Sequence, residues 1–235
     1  MSRVLDRISR RLRRVVDRLS RVPVGAVRWG DLRNLQPICS QFGFTRGKPV
    51  DRHYIECFIA GHATDISGRV LEIKDAGYTR EFGGSRVKQS DVLDIRPDNP
   101  AATIIADLND PRALKSGAFD CVIFTQTLQL IFEPAKVVRH LHRSLRPGGV
   151  LLLTVPGITP VRSRDTWYWS FTELAVRGLL EEVFEPSQIA FQSFGNVVSA
   201  TAFLQGLAAS ELTDEELAYY DPAYPMLIGT RAVKA

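Results

Sequence analysis

The chain has 235 residues, 45% of them hydrophobic and 24% charged, which suits one soluble α/β domain with a full core and excludes two large domains. No apolar run approaches the roughly 20 residues that span a bilayer, and Met1 to Ser20 lacks the apolar stretch of a secretory signal. The net charge of +4 is unevenly placed: Arg3, Arg7, Arg10, Arg11, Arg13, Arg14, Arg18 and Arg21 face only Asp6 and Asp17, so residues 1–21 carry +6 and the other 214 carry −2. A basic groove for nucleic acid is therefore not indicated in the body of the protein.

Residues 1–21 read as an amphipathic helical arm, with Val4, Leu5, Ile8, Leu12, Val15, Val16 and Leu19 on one stripe and arginines on the other face. Three readings stay open: peripheral contact with an anionic membrane surface, docking on a partner or a second copy, and a solvated arm. Pro23 and Gly25 end it, and residues 22–67 form a cap or lid segment in which Val50–Ile66 has helical spacing. Cys39, Cys57 and Cys121 are odd in number and have no metal-ligand spacing, which marks them as small buried hydrophobes in a reducing cytoplasm. No metal is expected.

Strand and helix alternate across residues 68–235. Strands are expected at Arg69–Ile73, Arg86–Ile95, Ala102–Ala106, Asp120–Thr125 and Val150–Val155, with late ones at Ile189–Phe194 and Met226–Lys234. Helices are expected at Pro134–Leu145, stopped by Pro147, Gly148 and Gly149, and at Thr172–Val183. Continuous apolar strands alternating with helices predict a Rossmann-like, mostly parallel seven-stranded sheet covered on both faces. The links among the first three strands are short, so one helix is expected to be missing between the second and third.

Four segments in order carry a resemblance: Val70-Leu-Glu-Ile73 with its turn, Asp91-Val-Leu-Asp-Ile-Arg-Pro97, Ala118-Phe-Asp-Cys-Val-Ile-Phe-Thr-Gln-Thr-Leu128, and the helix ending Leu145-Arg-Pro-Gly-Gly149 before an apolar strand. Together they resemble the class I S-adenosylmethionine-dependent methyltransferases. Gly43 to Glu56, Tyr78 to Gly83 and Trp167-Tyr-Trp-Ser-Phe-Thr172 are similar to a bacterial branch associated with glycosyltransferases and glycan pathways, with Ser170 where that branch commonly has Arg.

The resemblance implies an S-adenosyl-L-methionine site at the carboxyl ends of the strands, near the switch in strand order. The turn after Ile73 is Gly-rich in the family and here reads Lys74-Asp75-Ala76-Gly77-Tyr78, with Lys74 and Ala76 on the glycine positions. A β-carbon there hinders close approach and penalises positive φ. Glu72 and Asp75 are candidates for the cofactor amine, Asp94 beside Ile95 for the ribose hydroxyls, Asp107 with Leu108 for the adenine amino group, and Thr125 and Gln126 for the cofactor floor. Asp120 and the Pro-Gly-Gly turn are read as structural. No general base declares itself: His53, His62, His140 and His142 look like packing or surface residues, and Asp165 is a weak alternative. Trp167, Tyr168 and Trp169 are candidates for an acceptor platform, and Arg46, Arg52 and Tyr54 for a lid.

The expected activity is O-methylation of a sugar, glycan or small metabolite. The alternative is a degraded, methyltransferase-like interaction module tethered by the arm, which Lys74 and Ala76 favour. A nicotinamide oxidoreductase is disfavoured, because no G-x-G-x-x-G follows Ile73. Oligomerisation stays open.

Overall fold

A computed structural model of the protein describes residues 22, 23, 25–161 and 166–235, so the predicted arm helix and Asp165 lie outside the described residues. Residues 36–235 form one compact unit, and the described residues before Gln36 belong to a separate one. The described part of that first unit has one short 3₁₀ turn, Gly30–Arg33.

The larger unit opens with helix α1, Val50–Gly61, which ends a few residues before the predicted limit and passes into a 3₁₀ turn at Ala63–Asp65. Strand β1 is Gly68–Ile73, β2 is Val87–Asp94 and β3 is the two-residue Ile104–Ile105. A short π turn, Thr79–Gly83, and a 3₁₀ turn replace a crossover helix between β1 and β2, and no helix is described between β2 and β3. Strand β4, Phe119–Thr125, is followed by helix α2, Pro134–Ser144, and then by β5, Leu145–Pro156. Helix α3, Glu173–Glu181, precedes β6, Ile189–Phe194. Helices α4, Val197–Gln205, and α5, Asp214–Ala218, lead into β7, Leu227–Val233.

The seven strands lie in the order β3-β2-β1-β4-β5-β7-β6. Every pairing is parallel except those of β7 with β5 and β6. Adjacent residues of a strand point to opposite faces, so two cores form. Leu71, Val122, Phe124, Leu151 and Leu153 pack with Val137, Val138 and Leu141 of α2 and Val176 and Leu180 of α3. Val70, Cys121, Ile123, Val150 and Leu152 pack with Tyr54, Ile55, Phe58 and Ile59 of α1 and Phe203 of α4. Both faces are covered, which is why the central strands β4 and β5 carry long apolar runs.

Two local expectations are corrected. Arg146-Pro-Gly-Gly149 lies within β5 and does not cap α2: the Leu145 amide closes that helix onto Leu141 and His142, and Leu145 already pairs with Phe119. The register shifts between Phe119 and Cys121, and at Gly149 a β-carbon would sit 2.8 Å from the Arg146 carbonyl. The glycines therefore serve a strand irregularity with close backbone approach. Cys57 is exposed, whereas Cys39 and Cys121 are buried as expected. Asp120 sits at the start of β4, away from the strand tips, where it accepts the Arg69 amide at 2.6 Å and pairs with Arg146.

Candidate active site

The strand order reverses between β1 and β4, and a cleft of about 930 Å³ opens beyond their carboxyl ends. Ile73 and Lys74 from β1, Asp94 from β2, and Thr125 and Gln126 from β4 form its floor. Phe44, Lys48, Pro49, Arg52 and Glu56 of the cap wall it from above the sheet edge. Five carboxylates (Glu56, Glu72, Asp75, Glu81, Asp94) and four cations (Lys48, Arg52, Lys74, Arg96) line it. Lys48 pairs with Glu56, which leaves the acidic set concentrated at the strand tips.

The β1 turn is built around Glu72. This side chain is 3% exposed and accepts the Tyr78 amide at 3.1 Å, the Thr79 amide at 2.8 Å and the Thr79 hydroxyl at 2.7 Å. Burial pushes its carboxyl above the usual range, against the pull of those donors. The turn that follows has the shape glycine would give it: Lys74 has a φ of +74°. Its amide donates to the Leu93 carbonyl at 2.8 Å, and its carbonyl accepts from Asn99 Nδ2 at 2.7 Å. Asp75 Oδ1 accepts the Gly77 amide at 2.8 Å. Arg52 Nη1 donates to the Tyr78 hydroxyl at 2.7 Å and so ties the cap to this turn.

Asp94 organises the β2 turn. Its Oδ1 accepts the Arg96 amide at 3.0 Å and its Oδ2 accepts Asn99 Nδ2 at 2.6 Å. Asn99 thereby links the tips of β1 and β2. At the β4 tip, Gln126 has a φ of +47° and is clasped by Gln129, whose Nε2 donates to the Gln126 carbonyl at 2.9 Å. The Gln129 carbonyl in turn accepts the Tyr168 amide at 2.9 Å and fixes the aromatic segment to β4. Left-handed backbone at two neighbouring non-glycine tips costs on the order of 1–2 kcal/mol each, and such strain concentrates at functional sites.

The cleft thus gathers Glu72, Lys74, Asp75, Gly77, Tyr78, Asp94, Thr125, Gln126 and Arg52 of the predicted residues. The structure places the other predicted residues outside the lining of this cleft. Asp107 is exposed, accepts from its neighbour Asn109 at 2.9 Å, and does not line the cleft, because β3 stops at Ile105 and the chain turns away. Leu108 is buried in the core and its carbonyl takes the His140 Nδ1–H at 2.8 Å. Ile95 is 63% exposed outside the cleft. Tyr54 is buried and stacks on Phe194 at 5.3 Å, so it cannot serve in a lid. Arg46 is forked onto Glu211, holding that carboxyl down at about 2.

Trp167 borders a second, smaller pocket, whereas Tyr168 packs edge-on against Phe132 at 5.2 Å and Trp169 donates its indole N–H to the Ile131 carbonyl at 2.8 Å. Sequence reasoning missed Phe44, Lys48, Glu56, Glu81, Arg96 and Leu130. The cap residues among them carried a signal in the Gly43–Glu56 segment, and Arg96 sits two residues past Asp94.

The seven-stranded sheet, with its cleft at the switch in strand order, has the Rossmann-like fold seen in solved S-adenosylmethionine-dependent methyltransferases. Residues 60–153 match the family described as "Methyltransferase domain". A human thiol S-methyltransferase is 33% identical over 84 residues, which is 36% of this chain and 30% of that protein's length. Among solved structures, an S-adenosylmethionine-dependent methyltransferase from Archaeoglobus fulgidus superposes with a TM-score of 0.54 at 12% identity, covering 78% of this chain and 94% of that one. The N-methyltransferase NodS from Bradyrhizobium japonicum, bound to S-adenosylhomocysteine, gives 0.52 at 12% identity over 84% and 94%. The [4+2]-cyclase SpnF gives 0.53 at 15% identity over 80% and 83%, so the fold alone does not dictate the chemistry.

Proposed function

We propose that the protein transfers a methyl group from S-adenosylmethionine to an oxygen of a small-molecule acceptor: a sugar, a glycan or another small metabolite. The observation that carries this reading is the shared cleft at the β1, β2 and β4 tips, with Asp94, Asp75 and Glu72 on one wall. A carboxylate-rich cleft suits a ligand that carries a sulfonium, an ammonium and two ribose hydroxyls. Asp94 would accept from the ribose hydroxyls. Asp75, whose second oxygen has no partner among the described residues, would take the ammonium with Glu72 behind it. When bound, the cofactor supplies an electrophilic methyl group. The chain's own residues position the acceptor and exclude water.

Lys74 and Ala76 are the features that favour a degraded module. Lys74 nonetheless holds the backbone shape of a glycine turn, which favours a working site. Isothermal calorimetry with S-adenosylhomocysteine tests the proposal. Asp94→Ala should weaken binding by roughly 1.5–3 kcal/mol, the range for hydrogen bonds to charged groups. A flat titration of the wild type, or an unchanged affinity in the variant, refutes it.

For the arm, its charge of +6 supports peripheral contact with an anionic membrane. Among the described residues no helix is long and apolar enough to cross a membrane.

A further inference from the structure

Beside the main cleft lies a smaller pocket of about 240 Å³ that shares Phe44, Arg52, Lys74, Gln126 and Leu130 with it. Its remaining walls are Phe42, Phe203, Trp167, Thr159, Gln129 and Asp51. Phe42 and Phe203 stack at 5.8 Å. Four aromatic residues (Phe42, Phe44, Trp167 and Phe203) and Leu130 make a surface for a flat or ring-bearing group, and the volume holds one ring but not a large ligand.

Three features of this pocket are independent of the cofactor reading. First, all three described non-glycine residues with positive φ (Phe42 at +58°, Lys74 at +74° and Gln126 at +47°) border it. Second, Gln129 is 2% exposed and its buried Oε1 has no hydrogen-bond partner among the described residues, an orphan acceptor that calls for a donor. Third, Asp51, in the first turn of α1, is half-buried, and its one hydrogen bond among the described residues comes from the Arg52 amide at 2.8 Å. The charged and titratable groups around it are Arg52 of its own helix and, from the turn after β1, Lys74 and Tyr78, and among the described residues neither cation forms an ion pair with it.

We propose that this pocket receives the acceptor as a ring bearing a neutral hydroxyl or thiol, and that Asp51 takes the acceptor's proton. This rests on the methyltransferase reading and adds the acceptor class and the base. In the step, the acceptor O–H or S–H bond gives its proton to the Asp51 carboxylate, and the freed lone pair forms the new bond to the methyl carbon. The methyl–sulfur bond breaks with its electron pair returning to sulfur, and Asp51 later releases the proton to solvent. Burial raises the Asp51 carboxyl to about 6, with Arg52 as the opposing influence, which keeps it ionised yet basic near neutrality. The orphan Gln129 Oε1 is the acceptor for any further hydroxyl on the same ring.

The test uses the full chain, S-adenosylmethionine, and phenol and thiophenol as probes, with methylated products measured by chromatography at about pH 8. Phenol is neutral there and needs a base, whereas thiophenol is already ionised. The expected result is that wild type methylates both and that Asp51→Asn loses about a hundredfold on phenol with a much smaller loss on thiophenol. In wild type, kcat/KM for phenol rises with pH through about 6, and that inflection disappears in the variant. Equal losses on both probes, an inflection that survives in Asp51→Asn, or no methylation of either probe by a chain that binds S-adenosylhomocysteine overturns the proposal. A chain that fails to bind S-adenosylhomocysteine overturns the methyltransferase reading and this proposal with it.

Discussion

Lys74 is where the β1 turn departs from a glycine, and replacing it separates backbone strain from side-chain chemistry. At φ +74° a residue with a β-carbon pays about 1–2 kcal/mol. The side chain is exposed and forms no ion pair among the described residues, and the two backbone hydrogen bonds of Lys74 survive any substitution. Lys74→Ala should therefore leave stability within about 0.5 kcal/mol of wild type. Lys74→Gly relieves the strain but adds roughly 0.4–1 kcal/mol of unfolded-chain entropy. The glycine variant should then be more stable than the alanine variant by about 0.5–1 kcal/mol, or about 2 °C in Tm for a chain of this size. Urea denaturation resolves that difference, and calorimetry with S-adenosylhomocysteine gives the second half of the prediction: affinity in Lys74→Gly equals or exceeds that of wild type, because the open backbone is restored. A glycine variant less stable than the alanine variant would mean that the turn is not left-handed. Equal losses of affinity in both variants would mean that the lysine amine itself holds the ligand.

Two further outcomes follow from charge. The Asp51 carboxyl is raised in the folded protein, so the native state binds the extra proton between the unfolded value of 3.8 and about 6, and stability falls as pH rises through that window. Asp51→Asn should match wild type at about pH 4 and exceed it by about 1–2 kcal/mol at about pH 8, after allowance for partial exposure; a pH-independent difference in denaturation midpoints would refute the shift. Deleting residues 1–21 removes a net charge of +6 and should abolish sedimentation with phosphatidylserine vesicles, and undiminished sedimentation rejects the membrane reading.

The parallel sheet was legible because burial on both faces leaves strands such as Val150–Val155 no polar side to hide. The short β1–β2–β3 links were legible from residue counts alone. Helix α4 was missed because Val197–Gln205 is rich in β-branched residues, which suit a strand as well as a helix. Its start is decided by a reciprocal cap: Asn196 Oδ1 accepts the Val198 and Ser199 amides, and Ser199 Oγ accepts the Asn196 amide at 3.0 Å. Its end is decided by Gly206 at φ +71°. The Pro-Gly-Gly segment misled for the opposite reason, since its residue types mark a break equally well inside a strand irregularity.

At the site, residues whose role follows from a strand tip were readable, and residues whose role follows from tertiary placement were not. Asp94 ends β2 just past its buried Asp91-Val-Leu93 stretch, and Lys74 directly follows β1, so the fold fixes where they go. Asp107 follows a strand only two residues long, too short to carry it to the cleft. Tyr54 and Asp51 lie three positions apart on α1, yet one is buried against Phe194 and the other borders the smaller pocket. Sequence alone does not single out Asp51, because an acid in a first helical turn is adequately explained by the helix dipole. What distinguishes Asp51 is that burial and the pocket oppose that dipole: a mere capping acid would be exposed and lowered, whereas this one is half-buried and raised. A folded chain keeps such a destabilising group where something else needs it, and the strained Phe42, Lys74 and Gln126 around the same pocket argue that the cost is shared across one site.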